Sequence, residues 1–293
     1  MRVLTSPLAL PSYVSVIDLA CSTGLLCLLV VMSGGYTIRS YTIGRARQGR
    51  LEGGEGKLLG RPLMEAGYWL MGPIVKLLLA VGATPNAVTL GSLVPALGAA
   101  VAVATGHFGI AALLAIAAGL CDLLDGVLAR HLGTTSDAGE VYDAAADRYT
   151  EFFFLGGLAV HYRSVWPLEV LALSAILASF MISYSTAKAE AMNLPPPKGM
   201  MRRAERTFYL LAGATFVPIF ELLLPDHLRG RMGIHDITIL IPLALVAVLG
   251  NFSAAMRFKK TARMAHERSK PAAAPAFDPG APGPVPPSRA PAH

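Results

Sequence analysis

Seven stretches of this chain, at about residues 15–34, 87–104, 107–130, 138–161, 167–189, 207–224 and 235–256, are apolar over enough length to cross the roughly 30 Å of a bilayer's hydrocarbon. In hydrocarbon the backbone must satisfy its own N–H and C=O groups, and a single apolar run does so only as a helix. The fold class expected is therefore all-α, a polytopic membrane helix bundle. Composition agrees: residues are 54% hydrophobic and only 15% charged, with mean hydropathy +0.52, on the apolar side of water-soluble domains. Between the first two runs lie a basic linker, Arg39–Lys57, and a further apolar stretch, Gly60–Ala83, which is interrupted by Pro73 and carries Glu65 and Lys76. Its Tyr68, Trp69 and internal charges suit a helix lying in the headgroup plane. The architecture expected is six core transmembrane helices, one extra N-terminal transmembrane helix and one interfacial amphipathic helix.

Charge sets the orientation. If Gly60–Ala83 does not cross, the linker arginines and Lys57 share a face with Arg130, Lys188, Lys198, Arg202, Arg203, Arg206, Arg257, Lys259, Lys260 and Arg263, while the other face receives mainly Arg163, Arg229 and Arg231. By the positive-inside rule the crowded face is cytoplasmic, with the N-terminus outside and the C-terminus inside. A net charge of +6 placed at segment ends points to anionic lipid and not to nucleic acid. The first apolar run starts late and no small-residue cleavage pattern closes it, so a retained helix is expected over a signal peptide. Pro271–His293 is alanine- and proline-rich with few charges, a composition that does not fold alone. Three segments follow: residues 1–59, an N-terminal helix and basic linker; 60–257, the membrane domain; and 258–293, a basic and then disordered tail.

Inside the apolar bundle sit four carboxylates: Asp122 and Asp125 near the end of one run, Asp143 and Asp147 near the start of the next. An Asp at a membrane helix centre costs on the order of 3 kcal/mol, so four together require a compensating ligand. Spacings of three and four place each pair on one helix face, and the short loop Gly133–Ala138 brings the two faces together. An all-oxygen site of this kind selects Mg²⁺ or Mn²⁺ over zinc or copper. Two ions could bridge a pyrophosphate. Gly126 and Ala129 leave the metal-bearing face almost without bulk, so a nucleotide or phosphate could approach the backbone. Arg130 could fork two phosphate oxygens. Close helix packing alone would also explain Gly126 and Ala129. A proton or ion pathway would explain the carboxylates, though not that small-residue face.

The pattern Asp122-x2-Asp125-Gly126-x2-Ala129-Arg130-x8-Gly139-x3-Asp143-x3-Asp147 resembles the signature of the CDP-alcohol phosphotransferase family, over about Gly60 to Arg257. The resemblance implies that Asp122, Asp125 and Asp143 hold one metal ion. It implies that Asp147 helps hold a second and deprotonates the acceptor hydroxyl. Gly126, Arg130 and Ser136 would bind the CDP moiety, with Ala129 and Gly139 beside them. The stretch from Thr84 through Pro85, Asn86, Ala87 and Val88 looks like the family's nucleotide-contacting entry to its first core helix. Implied partners are CDP-diacylglycerol, a hydroxyl acceptor and the bilayer; family members often pair as homodimers.

The segments Tyr184–Ala191 and Gly199–Arg206 resemble the phosphatidylinositol-phosphate synthase branch, in which a basic pocket grips the acceptor's phosphate. Lys188, Arg203 and Arg206 fall at matching positions. Thr186 stands where that branch carries a lysine and Lys188 where it carries an arginine. The expected activity is an Mg- or Mn-dependent phosphatidyl transfer on the cytoplasmic side of the cell membrane, with inositol 1-phosphate as first choice of acceptor. Glycerol 3-phosphate, inositol and serine are the alternatives. A carboxylate-site ion transporter is the rival of another class, and interfacial anchoring is the plain explanation of Arg202, Arg203 and Arg206.

Overall fold

The computed structural model describes residues 12–42, 61–225 and 234–269. Among these, nine helices follow one another: α1 (Ser12–Thr42), α2 (Arg61–Ala80), α3 (Pro85–Gly91), α4 (Leu93–Ala104), α5 (Phe108–Leu132), α6 (Asp137–His161), α7 (Trp166–Ala191), α8 (Arg203–Leu223) and α9 (Ile237–Ser269). Six are apolar and long enough to cross a membrane: α1 from Val16, α3 with α4 as one span, α5, α7, α8 and α9. The expected span at 138–161 is present as α6. Its 25 residues extend about 37 Å, but Asp137, Glu140, Asp143, Asp147, Arg148 and Glu151 make its first half polar. It is held in the bundle by packing on α4 and α7.

Small residues let these helices approach closely, the usual device where lipid supplies no hydrophobic drive between them. The main core joins Ala99, Val103, Phe108, Ala111, Leu155, Leu158, Ala172, Val217, Leu243 and Val246 from α4 to α9. At Gly157 an added Cβ would lie 2.6 Å from the Ala100 carbonyl oxygen, so any other residue would push α6 off α4. Asn251 crosses from α9 to donate to the Ser174 carbonyl of α7 at 2.9 Å.

Three local features position the site. Gly133 ends α5 in the left-handed region at φ 63°, a conformation glycine adopts without strain, while the Thr134 N–H returns to the Ala129 carbonyl at 3.0 Å. Ser136 starts α6 by accepting from the Gly139 N–H at 3.1 Å, with Asp137 and Glu140 in the first turn complementing the helix dipole. Thr84 caps α3 in the same way, accepting from the Ala87 N–H, with Pro85 in the first turn.

Two boundaries differ from expectation. Helix α9 runs to Ser269 without a break, so the division at 257/258 falls inside a helix; the basic residues Lys259, Lys260 and Arg263 continue its helical pattern past the apolar run. Helix α1 likewise runs on through Arg39 to Thr42. In α2, Pro73 is accommodated within the helix, and among the described residues Met71–Ala80 is an apolar stretch. Met71 and Val75 of this stretch are buried against Leu124. The expectations for the rest of the linker, for Arg229 and Arg231 and for Pro271–His293 lie outside the described residues, as do the Glu65, Tyr68 and Trp69 side chains.

Candidate active site

The tight α5–α6 turn brings Asp122, Asp143 and Asp147 together, each offering a carboxylate oxygen within 4.8 Å of the others. Three like charges this close, partly shielded from water, repel strongly unless a cation sits among them. Two arginines supply part of that charge. Arg203, at the start of α8, places Nη2 2.5 Å from Asp147 and Nη1 3.6 Å from Asp122, and Arg148 lies 3.9 Å from Asp147. With only oxygen donors and charge left uncompensated, the cluster fits a hard divalent ion.

Asp125 follows Asp122 by just under one turn of α5. It is buried, and its carboxylate accepts a short hydrogen bond from the Thr89 hydroxyl of α3. It stands outside the three-carboxylate group, but it and Asp143 both line an open cavity of about 360 Å³. Pro85, Asn86, Gly126, Ala129, Ser136 and Gly139 line the same cavity, so six of the nine residues expected to bind the CDP-lipid meet in one place. A methyl placed on Gly126 would touch only the tip of Arg130, at 3.5 Å. The face is open, as its small residues require, and Arg130 reaches over it.

Ala87 and Val88 do not line that cavity. Val88 packs instead with Met71, Val75, Leu124 and Val127, tying α3 to α2 and α5, while the Ala87 N–H is taken by the Thr84 cap.

The expected acceptor residues separate. Arg203 is at the acidic cluster. Lys188, at the end of α7, is exposed and lines neither this cavity nor a smaller one of about 70 Å³ beside Asp122, Glu151, Arg203 and Thr207. Arg206 is only 1% exposed. Its Nε and Nη2 donate to Glu151 at 2.8 and 3.1 Å, and Nη1 donates to the Met201 carbonyl at 2.8 Å. Expected as an acceptor contact, or as an interfacial anchor, Arg206 is in this structure the buried tie between α6 and α8. That tie holds Arg203, three residues earlier, beside Asp147.

Glu151, Thr89 and Arg257 were not singled out from sequence. Glu151 had a signal, since it follows Asp143 and Asp147 at steps of four along one face of α6. Arg257, on α9, is buried beside the loop before α8, with Nη2 3.5 Å from the Met200 carbonyl oxygen.

Comparison with known proteins agrees with this geometry. Residues 82–256, more than half of the chain, match the CDP-alcohol phosphatidyltransferase family. The chain is 33% identical over 159 residues to the phosphatidylinositol phosphate synthase of Mycobacteroides abscessus, covering 53% of this chain and 72% of the relative. It is 37% identical over 147 residues to that of Mycobacterium tuberculosis, covering 48% and 67%. Crystal structures of the M. tuberculosis enzyme superpose with a TM-score of 0.56 at 27% identity and 64% coverage of this chain. One has CDP-DAG bound and is covered over 92% of its length, and one is a complex with manganese and citrate covered over 87%. The matched region holds α3 to α8 and most of α9, and with them the acidic cluster and its cavity: the chain belongs to the CDP-alcohol phosphatidyltransferase family and is a membrane transferase of phospholipid biosynthesis.

Proposed function

We propose that this chain transfers the phosphatidyl group of CDP-diacylglycerol to the hydroxyl of inositol 1-phosphate, releasing CMP, at the cytoplasmic end of the bundle. The observation that carries this is the convergence of Asp122, Asp143 and Asp147 beside a cavity walled by Gly126, Ala129 and the two helix starts at Pro85 and Ser136. The small-residue wall admits the nucleotide, and Arg130 is placed to pair with its phosphates. Acyl chains of the substrate pass between the helices into lipid.

Two Mg²⁺ or Mn²⁺ ions, held by Asp122, Asp125, Asp143 and Asp147, would neutralise the pyrophosphate and stabilise charge on the attacking and leaving oxygens. Asp125 is fixed for this by Thr89. Asp147 takes the acceptor's proton as the acceptor oxygen bonds to the lipid-linked phosphorus and the bond to CMP breaks. Cations held by the cluster would compete with Arg203 for the Asp147 and Asp122 oxygens, and the guanidinium would then be available to pair with an anionic acceptor. Relatives named phosphatidylinositol phosphate synthase support a phosphorylated inositol as that acceptor.

The test is CMP release from CDP-diacylglycerol by the purified protein in lipid with Mg²⁺, across inositol 1-phosphate, glycerol 3-phosphate, inositol and serine. Release that depends on inositol 1-phosphate supports the proposal. Release driven by another acceptor overturns the acceptor assignment and keeps the chemistry.

A further inference from the structure

Helix α1 lies upstream of the family match, which begins at residue 82, yet it is packed against α5, α8 and α2. One stripe of it is turned inward. Asp18, Ser22 and Tyr36 are 6%, 0% and 2% exposed, and Leu25 packs on the main core. These positions recur at helical spacing. Val16, Ile17, Leu28, Val30, Val31 and Ile38 on the other sides are exposed, as lipid-facing residues are.

A buried aspartate in a membrane span is costly unless something receives its charge. Here the receiver is the start of α5. Its N-cap residue, His107, makes no side-chain cap bond, and Asp18 does the work from another helix. Asp18 Oδ1 accepts from the Ile110 N–H at 2.9 Å and Oδ2 lies 3.3 Å from His107 Nδ1. Ile110 is the third residue of α5, the position whose N–H an N-cap side chain ordinarily serves. The backbones touch here: a Cβ on Gly109 would lie 2.1 Å from the Asp18 carbonyl oxygen and 2.8 Å from Ser22 Oγ.

Helix α5 carries Asp122 and Asp125 about 18 and 22 Å further along. Its cytoplasmic half is open on the Gly126–Ala129 face where the cavity lies, and its carboxylates meet those of α6 in mutual repulsion. That end is held laterally by α2 and α3 through Leu124, Val127 and the Thr89–Asp125 bond, and a rigid rod passes any axial shift at one end to the other. We infer that α1 is a brace for the catalytic helix, with Asp18 a positioning residue that caps α5 from outside the family core and sets where Asp122 and Asp125 stand. This rests on the metal-binding role proposed above.

The test uses the full chain in lipid nanodiscs, with Asp18→Ala and Asp18→Asn. Three quantities are read: amide hydrogen exchange over residues 108–113, Mn²⁺ affinity by electron paramagnetic resonance without substrates, and kcat against KM. The brace predicts exchange at the start of α5 about five- to thirtyfold faster in Asp18→Ala, Mn²⁺ binding three- to tenfold weaker and kcat lowered at unchanged acceptor KM. Asp18→Asn, which keeps an oxygen for the Ile110 N–H, recovers most of each. If Asp18→Ala lowers only the thermal midpoint and leaves Mn²⁺ affinity and kcat at wild-type values, α1 is an anchor and the inference fails.

Should the alanine variant not fold, Asp18→Glu decides the question. The extra methylene displaces α1 from α5, and unchanged exchange and Mn²⁺ affinity would overturn the brace. Wild-type protein that binds no Mn²⁺ would count against the proposed metal site alone, while the exchange data still judge the cap.

Discussion

Replacing Arg203 by Gln should have opposite effects on the two ligands of the site. Arg203 lies 2.5 Å from Asp147 and 3.6 Å from Asp122. Even at the dielectric constant of water, contacts at these separations are worth about 1–2 kcal/mol each, and a side chain 40% exposed retains only part of that. A net 1–2 kcal/mol is about a five- to thirtyfold change in an equilibrium constant. Arg203 competes with the metal for the same oxygens, so Arg203→Gln should tighten Mn²⁺ binding by that factor. Loss of the cation should at the same time raise the KM for a phosphorylated acceptor at least tenfold, with little effect on that for CDP-diacylglycerol. Direct Mn²⁺ titration reads the first effect and initial rates of CMP release the second. Mn²⁺ affinity that is unchanged or weaker in the variant would refute the competition.

Other substitutions separate structure from chemistry. Glu151→Ala leaves the Arg206 guanidinium buried without its partner, a loss of about 3–5 kcal/mol. Thermal unfolding should show it, and Glu151→Leu with Arg206→Met should recover most of the midpoint. Gly126→Val meets no backbone, only the tip of Arg130, so the thermal midpoint should hold. The side chain projects into the cavity, however, and the KM for CDP-diacylglycerol should rise by an order of magnitude or more.

Spacing within one helix was legible from sequence. Asp143 and Asp147 lie together because a step of four chooses one helix face, and Gly133 and Ser136 announce the turn that brings Asp122 beside them; the group of three takes in Asp147 where the family pattern implied Asp125. Asp125 was harder, since its neighbour Thr89 comes from α3. Val88 turned from the cavity because α2 offers it an apolar surface, and no pattern in residues 84–88 reveals that. Arg206 was misplaced for the same reason: a positive-inside argument sees a cytoplasmic arginine, but only the approach of α8 to Glu151 shows that its donors are used. The docking of α1 depends on Asp18 meeting residues far along the chain, which periodicity does not encode. The end of α9 was missed because hydropathy stops at the membrane and helical hydrogen bonding does not.

The central claim is that the carboxylates of α5 and α6 catalyse phosphatidyl transfer, and Asp147→Asn tests it most directly. The variant keeps the size of the side chain and removes the charge and the basic oxygen. Purified in lipid with Mg²⁺, CDP-diacylglycerol and inositol 1-phosphate, the wild-type chain should release CMP. Asp147→Asn, folded to the same thermal midpoint or higher, should release it at least a thousandfold more slowly. CMP release by the variant at the wild-type rate would contradict the account.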